Sequence, residues 1–337
     1  MVGKKMGEKS ELPPLRFAPL FKRYLWGGRR LGTLLGKPIG EGEDYAESWE
    51  VADHGTDQTV VEGGPLAGMT LAQVMAKYRK ELLGRHYVGT SRFPLLFKYL
   101  DCRRVLSVQV HPNDAAAARR TPPDLGKTEA WVILAAEPGS VVYAGLKRGF
   151  DRAALEREVH RGTTELCLHK FEPLVGDCIF IPAGTIHALG AGLVVAEIQQ
   201  ASDTTFRLFD WNRIGPDGKP RQLHVHESLA AIDYSAGPVL PQVPQPTGRS
   251  FVHRLVACDK FILDRWRLTG SEPAEQRTLG GDERFHMLSV LSGSAEISSG
   301  TADEQLTLGQ TLLLPASAGV CKITAETGTV MLDSYLP

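Results

Sequence analysis

Cysteine is scarce in this chain, and the few residues present form no recognisable framework. There are five cysteines, an odd number, and no two of them are spaced as in a CxxC pair. Disulfide scaffolds and thiolate metal sites are built from paired, regularly spaced cysteines. Both classes are therefore disfavoured, and we expect reduced thiols in a cytoplasmic protein.

Long apolar runs and an excess of charge of one sign are also missing. No segment approaches the ~18 uninterrupted apolar residues of a membrane helix, and the N-terminal sequence MVGKKMGEKSELPPLRF lacks the apolar run of a secretory signal. Lys and Arg total 38 against 39 Asp and Glu. This balance supplies no positive surface for a phosphate backbone. We expect a soluble monomer or homodimer with neither nucleic-acid nor membrane partners.

Glycine and proline, in contrast, are abundant, with 35 Gly and 21 Pro among 337 residues. Many tight turns between short elements are typical of β structure. Helices are expected in only a few places: after Thr70, which has the capping-box spacing with Gln73, and after Asp151. The short apolar runs that predict strands lie at 94–100, 104–111, 129–135, 177–182, 193–199 and 204–211.

Proline also indicates how the chain is divided. Four prolines between residues 237 and 249 cannot continue a helix or a central strand, and they favour an extended linker. We predict a flexible tail at 1–14, a larger domain at 15–236 with small helical additions, and a small β domain at 250–337. We expect the fold class to be mainly β, with two β-barrel or jelly-roll domains and a few short helices.

One internal repeat supports two related domains. The pattern Gly176-x5-Pro182-x-Gly184-x2-His187 has a partner in Gly309-x5-Pro315, which lacks the histidine. The first copy resembles the second half-motif of cupin barrels, in which the loop brings a metal-binding histidine to the barrel interior. This resemblance implies that the two β-barrel or jelly-roll domains are cupin-like. We expect the C-terminal copy to be degenerate, without a metal set, and to have a structural role.

A candidate metal site follows from strand periodicity. In RVLSVQVHP, a period of two places Ser107, Gln109 and His111 on one face. Glu129 follows after enough residues for a loop and a return strand, and His187 comes from the repeat. Inward polar groups cost a few kcal/mol each when unpaired, so a shared partner is expected. These ligand types suit Zn²⁺ but leave Fe²⁺ and Mn²⁺ open.

Several segments together resemble the type I phosphomannose isomerases, zinc-dependent mannose-6-phosphate isomerases of the cupin fold. The segments are YLWGG (24–28), ESWEV (47–51), FPLLFKYLD (93–101), LSVQVHPND (106–114), GKTEAWVIL (126–134), IPAGTIHAL (181–189) and ASDTTFRLFDWNR (201–213). The resemblance implies one zinc ion per chain and a sugar-phosphate substrate. It implies the zinc ligands Gln109, His111, Glu129 and His187, and the active-site candidates Lys98, Ser107, Lys127, Glu197 and Arg207.

The roles of these candidates follow from their surroundings. Arg207 lies among apolar residues in TTFRLF, so an anion such as a substrate phosphate or an enediolate is its expected partner, with Asp203 or Asp210 as the structural alternative. Lys98 and Lys127 are expected to bind the phosphate or the reacting oxygens of the substrate, and the resemblance implies that Ser107 also binds the substrate. Glu197, in the apolar run VVAEIQQ, is the first choice for the proton-transfer base. Lys127 and a metal-bound hydroxide are the rivals.

Two other functions stay open. An iron-dependent cupin dioxygenase would also use two histidines and a glutamate, but it typically has an H-x-H pair with the acid a few residues later. In this chain the first of those positions is Gln109, and Glu129 is far along the sequence. A non-catalytic sugar-phosphate-binding cupin is the second alternative, and it would have no need of the full ligand set.

Overall fold

Short β-strands separated by turns make up most of the chain, as the glycine-rich sequence predicts. The computed structural model describes residues 11–84, 90–215 and 218–337. The mainly β class is confirmed, and the cupin-like fold fits. No sheet closes into a barrel within the described residues. The sequence predicted either barrels or jelly rolls. The domains correspond to jelly rolls, because in each of them two open sheets pack face to face and no single sheet closes on itself.

The described residues contain the following elements. The helices are α1 (Arg30–Thr33), α2 (Leu71–Leu83), α3 (Asp114–Ala117), α4 (Arg152–Arg161) and α5 (Val225–Ala231). The strands are β1 (Phe17–Ala18), β2 (Leu20–Gly28), β3 (Tyr45–Val51), β4 (Asp53–His54), β5 (Asp57–Gln58), β6 (Val60–Val61), β7 (Leu95–Cys102), β8 (Val108–Val110), β9 (Glu129–Ala136), β10 (Val142–Leu146), β11 (Leu168–Phe171), β12 (Cys178–Ile181), β13 (His187–Leu189), β14 (Leu193–Gln200), β15 (Phe206–Phe209), β16 (Gln245–Pro246), β17 (Val252–Ala257), β18 (Ile262–Leu268), β19 (Thr278–Gly280), β20 (His286–Ser292), β21 (Ser294–Ser298), β22 (Asp303–Thr307), β23 (Thr311–Leu314), β24 (Val320–Ala325) and β25 (Thr329–Tyr335).

Both helices that the sequence predicts are present. Thr70 caps α2: its hydroxyl accepts a hydrogen bond from the backbone of Gln73, whose side chain accepts one from the backbone of Thr70. Asp151 caps α4 by a single hydrogen bond, which its side chain accepts from the backbone N–H of Ala154, and Leu155 is the buried residue of that helix. Each cap satisfies amides that would otherwise lack partners in the first turn.

The chain divides into two compact units, each of which is discontinuous in sequence. The central unit comprises Leu20–Trp49 and Leu95–Val243, and the terminal unit comprises Met1–Pro19, Glu50–Pro94 and Pro244–Pro337. The division at residues 237–249 stays a prediction. Most of the proposed tail, residues 1–10, lies outside the described residues. Its described end is anchored, because the backbone of Leu12, 3% exposed, donates to the hydroxyl of Ser317.

Two sheets build the central unit. The six-stranded sheet has the order β12-β9-β14-β7-β3-β2, and the five-stranded sheet has the order β11-β10-β13-β8-β15. Apolar residues of both sheets, among them Trp131, Val195 and Leu189, form one core between them. A second cluster on the outer side of the smaller sheet includes Leu155 of α4 and Leu229 of α5. The sandwich interior is thus bounded by strand faces, and the helices lie outside it.

The terminal unit also contains a two-sheet sandwich. Its sheets have the orders β16-β17-β18-β25-β20-β23 and β19-β24-β21-β22. One core cluster joins them, with Trp266 and Met331 from the first sheet and Ile297 and Ile323 from the second. No helix in the described part of the chain is long and apolar enough to span a membrane.

Candidate active site

Two rows of polar side chains enter the interior of the central sandwich from opposite sheets. On the smaller sheet, Gln109 of β8 pairs with His187 of β13 on one side and with Arg207 of β15 on the other. On the larger sheet, Glu197 of β14 pairs with Lys98 of β7. Every second residue of a strand points to the same face of its sheet. The polar residues of each row therefore lie on the same inner face as the core residues of their strands. The sheet register therefore brings residues distant in sequence to one place.

Three potential metal ligands meet at the centre of these rows. His111, Glu129 and His187 are buried, and one donor atom from each lies within 4.8 Å of the others. The Nε2 atoms of His111 and His187 lie 3.4 Å and 3.3 Å from the two carboxylate oxygens of Glu129. The side-chain amide of Gln109 lies 3.2 Å from Nε2 of His187. The structure thus brings together all four side chains that the sequence proposed as ligands.

The backbone fixes both imidazoles in the orientation that metal binding requires. Nδ1 of His111 lies 3.0 Å from the carbonyl oxygen of Thr204, and Nδ1 of His187 lies 2.9 Å from that of Thr185. A carbonyl oxygen can only accept, so each Nδ1 donates its proton and each Nε2 keeps a lone pair. Histidine ligands are commonly oriented by such a second hydrogen bond.

The charge states of the cluster agree with this reading. Burial and the neighbouring Lys127 ammonium lower the pKa of His111 to about 3, and burial also lowers the pKa of His187. Burial alone would raise the pKa of Glu129, but Lys127 and the two histidines hold it well below its usual range. Two neutral imidazoles and an ionised carboxylate are the forms that bind metals.

The carboxylate of Glu129 contacts Lys127 but accepts no hydrogen bond from the protein. Both of its oxygens are buried and accept no hydrogen bond, although Nζ of Lys127 lies 3.2 Å from one of them. The same Nζ lies 3.2 Å from Nε2 of His111. Buried acceptors without donors are costly. The donor set therefore fits a cation at this place.

A second charged group adjoins the cluster. Nζ of Lys98 lies 3.4 Å from Glu197 and 3.5 Å from Glu47, and all three residues are buried. Burial opposes the charge of Lys98, but Glu197 and Glu47 raise its pKa overall. Burial raises the pKa of Glu197 to about 8, against the lowering effect of Lys98. A carboxyl group that titrates near neutral pH can both take up and release a proton.

Arginines occupy another part of the site. Nη1 of half-buried Arg207 donates to the backbone oxygen of Gln222 at 2.9 Å, whereas its Nε is buried and has no acceptor. Burial and the neighbouring Arg221 lower the pKa of Arg207. Asp210, the structural alternative for Arg207, instead pairs with Arg213 and, at 3.4 Å, with Arg221. Repulsion between two nearby guanidinium groups favours binding of an anion.

A cavity of about 260 Å³ connects these groups. Ser107 and Gln109 line it, and so do four acidic and four basic side chains. These eight residues are Glu47, Glu129, Glu197, Asp203, Lys98, Lys127, Arg207 and Arg221. Such a pocket, polar and at the small end of the usual size range, suits a small charged ligand.

Sequence reasoning did not identify Glu47 and Arg221 as site residues. Glu47 lies in the ESWEV segment, and the polar residue within an apolar strand was the available signal. Its contact with Lys98 depends on β3 and β7 being neighbours, which strand patterns alone do not reveal. Arg221 follows a glycine- and proline-containing loop, and no local signal distinguishes it from a surface arginine.

Three further residues, Trp26, Trp211 and His224, have contacts outside the metal-ligand cluster. Trp26 lines the cavity, and the indole N–H of Trp211 donates to the backbone of Leu106. His224 precedes α5, and its Nδ1 accepts a hydrogen bond from the backbone of Arg207 at 3.2 Å. His224 therefore contributes to a loop contact and not to the His111–Glu129–His187 cluster.

Comparisons with known proteins agree with this geometry. A family model described as phosphomannose isomerase type I, catalytic domain, matches residues 15–134. The chain is 34% identical over 320 residues to mannose-6-phosphate isomerase ManA of Bacillus subtilis, covering 92% of this chain and 95% of that protein. It is 32% identical over 306 residues to a mannose-6-phosphate isomerase of Streptococcus mutans, covering 90% and 92%.

Solved structures extend the similarity to the whole fold. The crystal structure of the mannose 6-phosphate isomerase from Bacillus subtilis superposes with a TM-score of 0.85 at 29% sequence identity. The match covers 95% of this chain and 99% of that chain. A putative mannosephosphate isomerase from Archaeoglobus fulgidus has a TM-score of 0.76 at 22% identity, covering 97% of this chain and 100% of that one, which shows a shared fold.

Proposed function

Because the chain belongs to the type I phosphomannose isomerase family, we propose that it interconverts mannose 6-phosphate and fructose 6-phosphate. One observation carries the proposal: Glu129 of the His111–Glu129–His187 cluster lines the same cavity as Lys98 and Glu197. An aldose–ketose isomerisation moves one proton between C1 and C2 and another between the two oxygens. It needs a proton carrier, stabilisation of negative charge and a hold on the phosphate.

Gln109, His111, Glu129 and His187 would hold one divalent metal ion, which we assign as zinc. The Glu129 oxygens, which accept no hydrogen bond, support the presence of a cation, and the Nε2 atoms of both histidines lie beside these oxygens. Two imidazoles, one carboxylate and one amide form a donor set that zinc accepts. When bound, the metal supplies Lewis-acid polarisation of the sugar oxygens.

Glu197 is the residue that we assign to carbon proton transfer. Its pKa is raised to about 8, so an ionised fraction is available at neutral pH and the protonated form is also accessible. Lys98, 3.4 Å away, stabilises the ionised form and stays charged itself. Lys127, which lies 4.0 Å from the same carboxylate, is the alternative proton carrier.

Arg207 binds the substrate phosphate or the negative charge that develops during the reaction. Its buried Nε has no acceptor in the protein, and Arg221 lines the same cavity. Guanidinium groups bind phosphate oxygens through paired hydrogen bonds. Lys98, Ser107 and Lys127 would orient the sugar oxygens, because all three are buried and line the cavity.

A turnover assay on the purified protein tests the proposal. We expect formation of fructose 6-phosphate from mannose 6-phosphate without consumption of oxygen. Glu197→Gln and Arg207→Ala should lose activity while keeping their melting temperatures, whereas Arg148→Ala, an exposed arginine of the same unit, should retain it. A folded, metal-loaded protein without turnover would favour the non-catalytic binding function. Oxygen consumption would favour the dioxygenase function.

A further inference from the structure

The terminal unit has its own row of polar side chains on the inner face of a sheet. Arg254 of β17 pairs with Asp264 of β18, which pairs with Asp333 of β25. His286 lies on the next strand, β20, two residues from the partner of Asp333. These positions share the face of Trp266, which belongs to the apolar core of the unit. Four charged residues thus enter a sandwich interior at one end.

These side chains form two connected groups. Nε of Arg254 lies 2.5 Å from Asp264, and the hydroxyl of Tyr335 donates to the same carboxylate at 2.9 Å. His286 bridges two acids: Nδ1 lies 2.9 Å from Asp333 and Nε2 lies 3.2 Å from Asp282. Because both ring nitrogens face carboxylates, this histidine is a cation and offers no lone pair to a metal.

A cavity of about 300 Å³ opens onto this row. Its inner wall includes Asp264, Asp333 and His286, each less than 7% exposed, and its rim includes Arg249 and Asp282. The volume is at the small end of the range for ligand pockets. The site is therefore large enough for a single small molecule and too small for a chain of residues.

One polar atom in this wall has no partner. The indole Nε1 of Trp266 is buried and donates to no acceptor, although Trp266 is 2% exposed and lines the cavity. A buried donor without an acceptor costs free energy. The guanidinium of Arg249 lies over the same ring, at 5.3 Å from its centroid. An acceptor supplied by a bound molecule would satisfy the indole.

The charge pattern indicates which molecule fits. Three cationic groups, Arg249, Arg254 and protonated His286, face three carboxylates in the lining. The balance disfavours an anion such as a phosphate ester, because the carboxylates would repel it. A lining with both donors and acceptors instead matches a molecule with several hydroxyl groups, each of which both donates and accepts. The carboxylates are Asp264, Asp282 and Asp333.

We propose that the terminal unit binds a neutral, hydroxyl-rich molecule of monosaccharide size in this cavity. Asp282 at the rim and Arg254 of the polar row bind hydroxyl groups, and the indole N–H of Trp266 donates to an oxygen of the ligand. The proposal is independent of the isomerase activity, because all of its residues belong to the terminal unit.

Titration of the full chain with D-mannose, D-glucose and D-fructose tests the proposal. The indole N–H resonances of the five tryptophans are followed by NMR, and Trp266→Phe identifies one of them. We expect a saturable shift of the Trp266 signal, with a dissociation constant in the millimolar range. Trp26 and Trp131 line the central cavity, so their signals report binding there separately.

Substitutions of two lining residues test whether the sugar binds in this cavity. Asp282→Asn and Arg254→Gln should each weaken binding by about tenfold, because each removes a charged hydrogen-bonding partner. Asp303→Asn, an exposed acid on β22 of the same unit, is the matched control and should bind as the original chain does. Melting curves of all three establish that they are folded.

Three outcomes would overturn the proposal. The first is no shift of the Trp266 signal with any of the sugars up to about 100 mM. The second is a shift confined to the Trp26 and Trp131 signals, which would place the sugar in the central cavity only. The third is equal binding by folded Asp282→Asn, Arg254→Gln and the original chain. Each would leave the polar row as a structural network.

Discussion

The two sandwiches of this protein each place histidine on the inner face of a sheet, but the ring is neutral in one and positively charged in the other. In the central unit, Nδ1 of His187 is bonded to a backbone carbonyl, and burial lowers its pKa. In the terminal unit, His286 lies between Asp333 and Asp282, which, against the effect of burial, raise its pKa to about 9. The partner of each ring therefore determines its chemistry.

This difference indicates what makes an inward histidine available to a metal. A carbonyl partner fixes the neutral ring and leaves the other nitrogen free, whereas two carboxylates occupy both nitrogens and keep the ring protonated. The burial of the two rings is similar, so burial alone does not decide the outcome. The repeat that carries His187 has lost its histidine in the terminal unit, and His286 comes from a different strand.

The largest expected difference between histidines of the two units is in metal binding. We expect one zinc ion per chain, and His111→Ala should lose both the metal and at least about a thousandfold in turnover, since the metal supplies several kcal/mol of charge stabilisation. His286→Gln should keep a full equivalent of zinc. Elemental analysis after gel filtration measures the stoichiometry. A loss of zinc in folded His286→Gln would contradict the assignment.

Replacing Glu197 should remove the proton carrier without removing the metal. Glu197→Gln should lower kcat by about 10²- to 10⁴-fold. With its pKa at about 8, the ionised base is populated as the pH rises. In the original chain, kcat/KM should therefore increase towards pH 8, and this limb should disappear in the variant. An unchanged pH profile in Glu197→Gln would transfer the role to Lys127.

Replacing Arg207 should weaken binding of the substrate phosphate and leave the metal site intact. We expect Arg207→Ala to weaken binding of fructose 6-phosphate by about ten- to a hundredfold, the contribution of a charged hydrogen bond. Zinc content should be unchanged, and Arg148→Ala serves as the matched control. Calorimetry gives the affinities. Equal affinities of the Arg207 and Arg148 variants would exclude Arg207 from the phosphate site.

The charged state of His286 should make stability depend on pH. Its pKa is about 9 in the folded protein against 6.5 for a free histidine, so the folded state binds the proton more tightly. This contribution, about 3 kcal/mol, is fully present below pH 6.5 and is lost as the pH rises through 9. Urea unfolding at several pH values should show the decrease, and in His286→Gln it should be absent. A parallel decrease in the variant would contradict the assignment.

Local patterns allowed much of the fold to be predicted. Four residues of sequence are enough to recognise the capping box at Thr70, and the residues of one strand are enough to recognise the period of two around Gln109. The mainly β class follows from the same kind of information. Family resemblance then supplied the candidates that local patterns could not rank, such as Lys98 and Arg207.

What the sequence did not reveal depends on strand order and register. Glu47 contacts Lys98 only because β3 and β7 are neighbours in one sheet. In the same way, Asp333 and His286 meet because β25 and β20 pair, so the cavity of the terminal unit was not expected. Such contacts are set by the packing of whole sheets, which no single segment encodes.

The most direct test of the central claim is a zinc titration of the metal-free enzyme with turnover of mannose 6-phosphate as the readout. We predict no activity without metal, a linear rise with added zinc and saturation at one equivalent per chain. Full activity after complete removal of metal would contradict the account.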